Sequence, residues 1–331
     1  MKKNNKIIRK KPIPQSFAGQ VYLDPRYEPA FKELFDSEDA LKDFLDGVLG
    51  LEGDDKIRTI KFVFDKSIRF RVPQSKKIIF DVFITTNSGR YLDVEMQKLD
   101  HDFLVDRIVL YNAFLVIKGK KEMERSEEFL ALSKEKKEKK RYELPETISI
   151  WICDFELPYA KGEYKDEWAV YSQCSIRNGR AIPIFPKNRY IFFSLPNFKK
   201  TLKEIDGSVD AWLYLLSHAG DGGELPDFGS DIIRDALDRI RVDNADDKLL
   251  LDQEKYMSLK DDYRIVLASA IIRAKEEGRA RGLARGLAEG LAEGRAEGRA
   301  EGAREKGRKI AAFLRAKGVS ENLILDALAQ K

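Results

Sequence analysis

The stretch Lys77-Ile78-Ile79-Phe80-Asp81-Val82-Phe83-Ile84-Thr85-Thr86-Asn87-Ser88-Gly89-Arg90-Tyr91-Leu92-Asp93-Val94-Glu95-Met96-Gln97-Lys98-Leu99 decides the fold. Two runs rich in β-branched and aromatic residues, 77–86 and 90–99, flank the turn-forming Asn87-Ser88-Gly89, which predicts a β-hairpin. A three-residue loop with Gly89 left-handed pairs Thr86 with Arg90 and sets Asp81 directly opposite Glu95. Alternation sends Phe80, Val82, Ile84, Leu92, Val94 and Met96 to an apolar face. Asp81, Phe83, Asp93, Glu95 and Gln97 take the other face. Cross-strand partners have Cβ atoms roughly 4.5–5.5 Å apart. Two carboxylates at that distance repel unless a cation lies between them, and a hard divalent ion such as Mg²⁺ resolves the conflict. The plainer alternative is an acidic face turned to solvent, with Asp93 as ordinary surface charge. The elements around the hairpin bear on that choice.

Upstream, Phe31, Leu34, Phe35, Leu41, Phe44, Leu45 and Val48 recur at helical spacing, which predicts one helix over 29–49 stopped by Gly50. Residues 57–70 alternate like a strand. Downstream, a helix over 102–119 presents Phe103, Ile108, Leu110, Tyr111, Phe114, Leu115 and Ile117 as apolar surface. A Lys- and Glu-rich excursion at 119–142 reads as a loop or an exposed helical segment. The apolar run 147–155, with Ile148, Ile150, Trp151 and Ile152, reads as a buried strand. The order helix, three strands, helix, strand favours a mixed sheet with helices packed on it, an α/β (α+β) class. Strand candidates follow at 168–174 and 190–195, with Trp151 and Trp168 most simply core, and the chain turns helical from Ser208.

Composition narrows the setting. Among 331 residues, 60 Lys and Arg barely exceed 56 Asp and Glu, so any nucleic-acid surface is a local patch. Cys153 and Cys174 make no disulfide framework, and with His101 and His218 they make no zinc spacing. No apolar run reaches the ~18 residues of a membrane span. The basic start lacks an apolar stretch after it and is no secretory signal. The expectation is a soluble cytoplasmic protein with no membrane partner. Lys2, Lys3, Lys6, Arg9, Lys10 and Lys11 mark residues 1–20 as a basic flexible arm, either solvated or touching phosphates.

The far end is a separate unit. Gly278, Gly282, Gly286, Gly290, Gly294, Gly298 and Gly302 recur every four residues, at a cost of about 1 kcal/mol each in a helix. A four-residue period drifts ~40° per step, so the glycines wind around the helix. Glu289, Glu293, Glu297 and Glu301 stack like charges, as do Arg295 and Arg299. Acidic and basic stripes favour self-association of this tail into a homo-oligomer; the alternative is a spacer grown by repeat slippage. The segment 310–328 is an amphipathic pair broken at Gly318, with Ser320 as an N-cap, read as a capping or dimerising hairpin in preference to a DNA-contacting element. The expected organisation is the arm 1–20, a core 21–205 with its charged excursion, a helical region 206–275, the repeat helix 276–307 and a helical hairpin 308–331.

Several ordered motifs together resemble the PD-(D/E)XK nuclease family of putative transposases and recombination-promoting nucleases. They are Glu28-Pro29-Ala30-Phe31-Lys32-Glu33-Leu34-Phe35, Asp81-Val82-Phe83, Glu95-Met96-Gln97, and Arg107 with Tyr111 four residues on. The Leu-Pro-x-Phe-Lys run at 195–199 and the Glu-Gly tail add to the likeness, which spans most of the chain. The resemblance implies a restriction-endonuclease-like mixed sheet at 21–205. It also implies that Asp81 and Glu95 ligate Mg²⁺ or Mn²⁺, with a carbonyl near Met96 as a further ligand. Gln97 stands where the wider superfamily often has Lys; a neutral amide orients water or the metal shell but supplies no charge. Lys98 alternates to the opposite face and is a poor substitute.

Glu28, where the family usually has Asp, either completes the metal shell or favours a helix N-terminus. Lys32 either reaches a phosphate of DNA or makes a surface salt bridge. Arg107 and Tyr111 share a helix face, as a phosphate clamp or as a Tyr packed under an Arg stem. His101 is either a base or an inert loop residue. The function expected is a metal-dependent DNA endonuclease serving recombination or transposition of mobile elements. The alternatives are a catalytically degenerate DNA-binding or assembly protein, and a ribonuclease or toxin-like effector using the same metal site.

Overall fold

The computed structural model describes residues 12–68, 78–157, 159–258 and 260–329; the basic residues of the N-terminal arm through Lys11 lie outside them. The chain divides into two units, Met1–Val266 and Leu267–Lys331.

In the first unit, α1 (Glu28–Leu34) and α2 (Glu38–Leu49) lead into β1 (Ile60–Ile68), β2 (Ile78–Thr86) and β3 (Tyr91–Gln97). The single helix expected over 29–49 is thus two. Ser37 is extended (φ −156°) and its side chain accepts from the Ala40 N–H, so a cap interrupts the apolar periodicity. Gly50 ends α2 in the left-handed conformation. After β3 come α3 (Leu104–Met123), the short α4 (Glu127–Leu130) and α5 (Lys134–Lys139), then β4 (Thr147–Cys153). The charged excursion is therefore an extension of α3 plus two short helices with no buried residue. β5 (Lys165–Trp168), α6 (Gln173–Arg177) and β6 (Asn188–Ser194) follow. The strand expected at 168–174 stops at Trp168, because Ser172 caps α6 instead. α7 (Gly207–His218), α8 (Asp231–Ile240) and α9 (Asp247–Met257) complete the unit.

The six strands lie in the order β1-β2-β3-β4-β6-β5. β1, β2 and β3 pair antiparallel. β3, β4 and β6 pair parallel, and β5 returns antiparallel on β6. The sheet is mixed because α3 carries the chain from the end of β3 back to the start of β4, a crossover that only parallel strands require. β4 is buried at every position. Its Ile148, Ile150 and Ile152 join the core shared with α1, α2, α7 and α8, while Trp151 and Cys153 join the core under α3. A mixed sheet with helices on both faces is a restriction-endonuclease-like architecture.

Close helix contacts depend on two glycines. A Cβ on Gly47 of α2 would lie 2.9 Å from the Val209 backbone nitrogen of α7, and one on Gly119 of α3 would lie 2.9 Å from the Tyr91 ring. α9 is tied to α1 by the fully buried Gln253, whose Oε1 accepts from Ala30 N at 3.2 Å and whose Nε2 donates to the Asp24 carbonyl at 2.9 Å.

In the second unit the repeat region belongs to one helix, α10 (Lys260–Ala316), which begins in the first unit. Pairs such as Arg281 with Glu277 and Arg285 with Glu289 support it at i,i+4 spacing. Gly318 turns the chain at φ +77° into α11 (Glu321–Ala329). Among the described residues, no helix is long and apolar enough to cross a membrane.

Candidate active site

The hairpin closes in the register its turn dictates. Thr86 N donates to the Arg90 carbonyl and Gly89 N to the Thr86 carbonyl, each at 3.0 Å, with Gly89 at φ +76°. Phe83 pairs Asp93 and Val82 pairs Val94, so one further step brings Asp81 across from Glu95. There the side chains take over the ladder. Asp81 N donates to Glu95 Oε1 at 3.0 Å, and Met96 N donates to Asp81 Oδ2 at 3.0 Å. Each carboxylate is fixed by the other strand's backbone.

The neighbouring register is disturbed at the same level. Asp65 of β1, which falls opposite Asp81, has φ +54° and is the one non-glycine residue with positive φ among the described residues. Strict alternation fails beside it. Phe80 does not join Val82 on the α1 side as expected; its ring lies 6.0 Å from Phe83 and 5.5 Å from Tyr111, in the core under α3. A local break in pairing re-aims side chains in this way. Asp93 also departs from expectation: it is fully buried, not surface charge. Its Oδ2 accepts from Ser149 Oγ at 3.0 Å, Ser149 Oγ accepts from Trp151 Nε1 at 2.9 Å, and Asp93 Oδ1 has no hydrogen-bond partner among the described residues.

Burial sets the electrostatics. It pushes Asp81 up to about 6, against the opposing bond from Met96 N, with Glu28 adding repulsion. Glu95, 1% exposed, is raised well above the usual carboxylate range by burial and then by the Asp81 charge, with Arg107 pulling the other way. Asp93 is raised to about 8 by burial. Three acidic groups on one face thus resist ionisation together.

Arg107 supplies the positive charge beside them. Its Nη1 donates to Gln97 Oε1 at 2.7 Å and its Nη2 lies 3.4 Å from Glu95 Oε2. The guanidinium sits 4.9 Å from the Tyr111 ring centre and 5.6 Å from that of Trp151. Gln97 Nε2 donates to the Leu99 carbonyl at 2.7 Å, so both ends of its amide are engaged and it holds Arg107 in place. Tyr111 is buried beneath the guanidinium, and burial raises its hydroxyl.

α1 forms the next wall. The Lys32 ammonium pairs with both Glu28 and Asp65. A cleft of about 680 Å³ opens here, lined by these three residues, Asp81, Arg107 and Tyr111, with Lys248, Lys255 and Tyr256 from α9. Burial and a hydrogen bond with Glu28 raise the Tyr256 hydroxyl. Lys98 is engaged elsewhere, 3.7 Å from Asp24, 3.6 Å from Asp154 and 3.8 Å from the Tyr27 ring centre. His101 is half-buried, and burial with the Arg107 charge lowers its pKa. The structure therefore gathers Asp81, Glu95, Gln97, Arg107, Tyr111, Glu28 and Lys32. The α9 residues and Asp65 escaped sequence reasoning, since a Lys or Tyr on an amphipathic helix carries no local mark.

The donors present suit a hard divalent cation. Two opposed carboxylates held above their ordinary range, Asp81 by burial and Glu95 by burial and the Asp81 charge, gain most from a cation between them. Among the described residues, no group of three His, Cys, Asp or Glu side chains is placed to hold a metal alone. Mg²⁺ is commonly held by one or two carboxylates, with water and substrate phosphates filling its shell, a requirement that two opposed carboxylates fit.

Fold and acidic pair together define a restriction-endonuclease-like nuclease domain. The model of the PD-(D/E)XK nuclease family transposase matches residues 25–270, and the chain belongs to that family, a nuclease family linked to transposition. No curated protein and no solved structure matches the chain.

Proposed function

We propose that the chain is a divalent-metal-dependent endonuclease that hydrolyses phosphodiester bonds of DNA during movement of genetic elements. The observation that carries this reading is the opposed Asp81 and Glu95, each pinned by the partner strand's backbone. These two carboxylates would hold Mg²⁺ or Mn²⁺, which lowers the pKa of water and neutralises charge on the scissile phosphate. Hydrolysis adds water across the P–O bond, leaving a phosphate monoester and a hydroxyl. Arg107, buried against two rings and fixed by Gln97, offers a positive charge that needs no reorganisation as negative charge grows. That assigns to Arg107 the role that a lysine at position 97 would otherwise fill. Lys32, Lys248 and Lys255 line the cleft as phosphate contacts, and Glu28 and Tyr256 fix the Lys32 side of it. The repeat helix gathers copies of the chain into an oligomer through its charged stripes.

The test is supercoiled-plasmid cleavage with Mg²⁺, Mn²⁺ or EDTA, beside Asp81→Ala and Glu95→Ala and a matched RNA. The expected result is metal-dependent cutting of DNA that either substitution reduces at least about 100-fold, or ~2.7 kcal/mol. Cutting that survives either substitution, or that is confined to RNA, would overturn the assignment.

A further inference from the structure

α3 carries a second apolar face that is exposed among the described residues of its own unit. Leu104, Ile108, Tyr111 and Leu115 face the sheet and are buried. On the opposite side Phe103 is 60% exposed, Leu110 43% and Ile117 49%, with Val105 and Val109 also exposed. At ~100° per residue, Asp106, Leu110, Ala113, Ile117 and Lys121 fall on one outer stripe, about 22 Å long, while Phe114 at its edge packs back against the core under α3. A contiguous apolar stripe on a soluble domain marks an interaction surface.

The stripe has a symmetry of its own. Reversed end for end about a point between residues 113 and 114, Leu110 meets Ile117, and Asp106 at the acidic end meets Lys121 at the basic end. A second copy of the same helix, laid antiparallel, therefore matches apolar to apolar and charge to charge, and the two helix dipoles also oppose favourably. Ala113 at the centre lets the helices approach closely, within the 8–10 Å of ordinary helix packing.

We infer that α3 is a homodimer interface: its outer face packs antiparallel on α3 of a second copy, with a two-fold axis between Ala113 and Phe114. The pairing has a consequence that rests on the nuclease reading. Arg107 lies on the same helix, so the two Arg107 side chains stand about 20 Å apart along the helix axes. That is less than the ~34 Å of one duplex turn.

The test uses the full chain with Cys174, which is exposed, replaced by Ser. Ala113→Cys should link two chains through a bis-maleimide of about 8 Å span, whereas Val105→Cys, about 25 Å from its counterpart, should not. Leu110→Glu should abolish the link at position 113 and leave only the association held by the repeat helix, with circular dichroism unchanged. Asp106→Lys and Lys121→Asp should each weaken the dimer roughly tenfold, and the double swap should restore it. No link at position 113, equal linking at position 105, or a swap that fails to restore would overturn the interface. So would a monomer whose residue 113 is shielded from maleimide by the chain's own tail. An oligomer of the Ala113→Cys chain that shows no link there, with Leu110 intact, would place self-association in the tail alone and overturn this surface. None of these readouts depends on DNA cutting, so failure here is distinct from failure of the nuclease reading. If both hold, the dimer makes linear product from plasmid, and Leu110→Glu accumulates nicked circles.

Discussion

At the scale of single residues, the acidic face of β3 resists ionisation, and its stability cost follows from the sign of the shifts. Asp93 is raised to about 8 against an unfolded value near 3.9. A raised carboxyl leaves the native state holding more protons than the unfolded chain, so its contribution falls as pH climbs between those values. Asp93→Asn removes that titration. Its stability relative to wild type should rise by about 2–3 kcal/mol between pH 5 and pH 7, read from urea midpoints without divalent ions. A difference that stays flat with pH would contradict the account of Asp93. The residue also shows where a sequence falls short. Alternation placed Asp93 beside Glu95 on one face, but only the later arrival of α3 and β4 makes that face an interior. Asp81 and Glu95, by contrast, were legible because a hairpin is local: Gly89 sets the turn and the turn sets the register.

At the scale of elements, the sheet and its crossover were readable from periodicity, while the packing of helices on it was not. β4 announced itself as a continuous apolar run, and it is buried throughout. The break between α1 and α2 lay hidden inside an unbroken helical pattern, because one capping serine outweighs the propensity of its neighbours. α9 seats Tyr256 over the cleft only because the distant Gln253 bonds to Asp24 and Ala30, a contact across more than 220 residues of chain. Close packing of α3 is as particular. Gly119 lies against Tyr91 and Pro145, whose atoms would stand 2.9 and 3.1 Å from an added Cβ. Gly119→Ala should cost about 1–3 kcal/mol, a loss visible as a lowered thermal midpoint. An unchanged midpoint would mean that α3 shifts without penalty.

At the scale of the whole molecule, the family membership over residues 25–270 covers every element that lines the cleft, from Glu28 to Tyr256. The repeat tail follows different rules. Among the described residues of its own unit, its glycines meet no atom that a Cβ would touch, save Gly307 near Leu328, so packing within that unit does not enforce their spacing. The repeat helix expected at 276–307 is part of α10, in which Arg281 pairs with Glu277 and Arg285 with Glu289 at i,i+4. The cation site proposed for Asp81 and Glu95 lies within the first unit. Calorimetric titration of Mn²⁺ into the intact chain at pH 6, in buffers of different ionisation enthalpy, tests it most directly. Binding should release protons, since Asp81 is raised to about 6 and Glu95 is raised well above the usual carboxylate range, and affinity should fall by more than about tenfold in both Asp81→Asn and Glu95→Gln. Binding of equal strength in either variant, or binding without proton release, would contradict it.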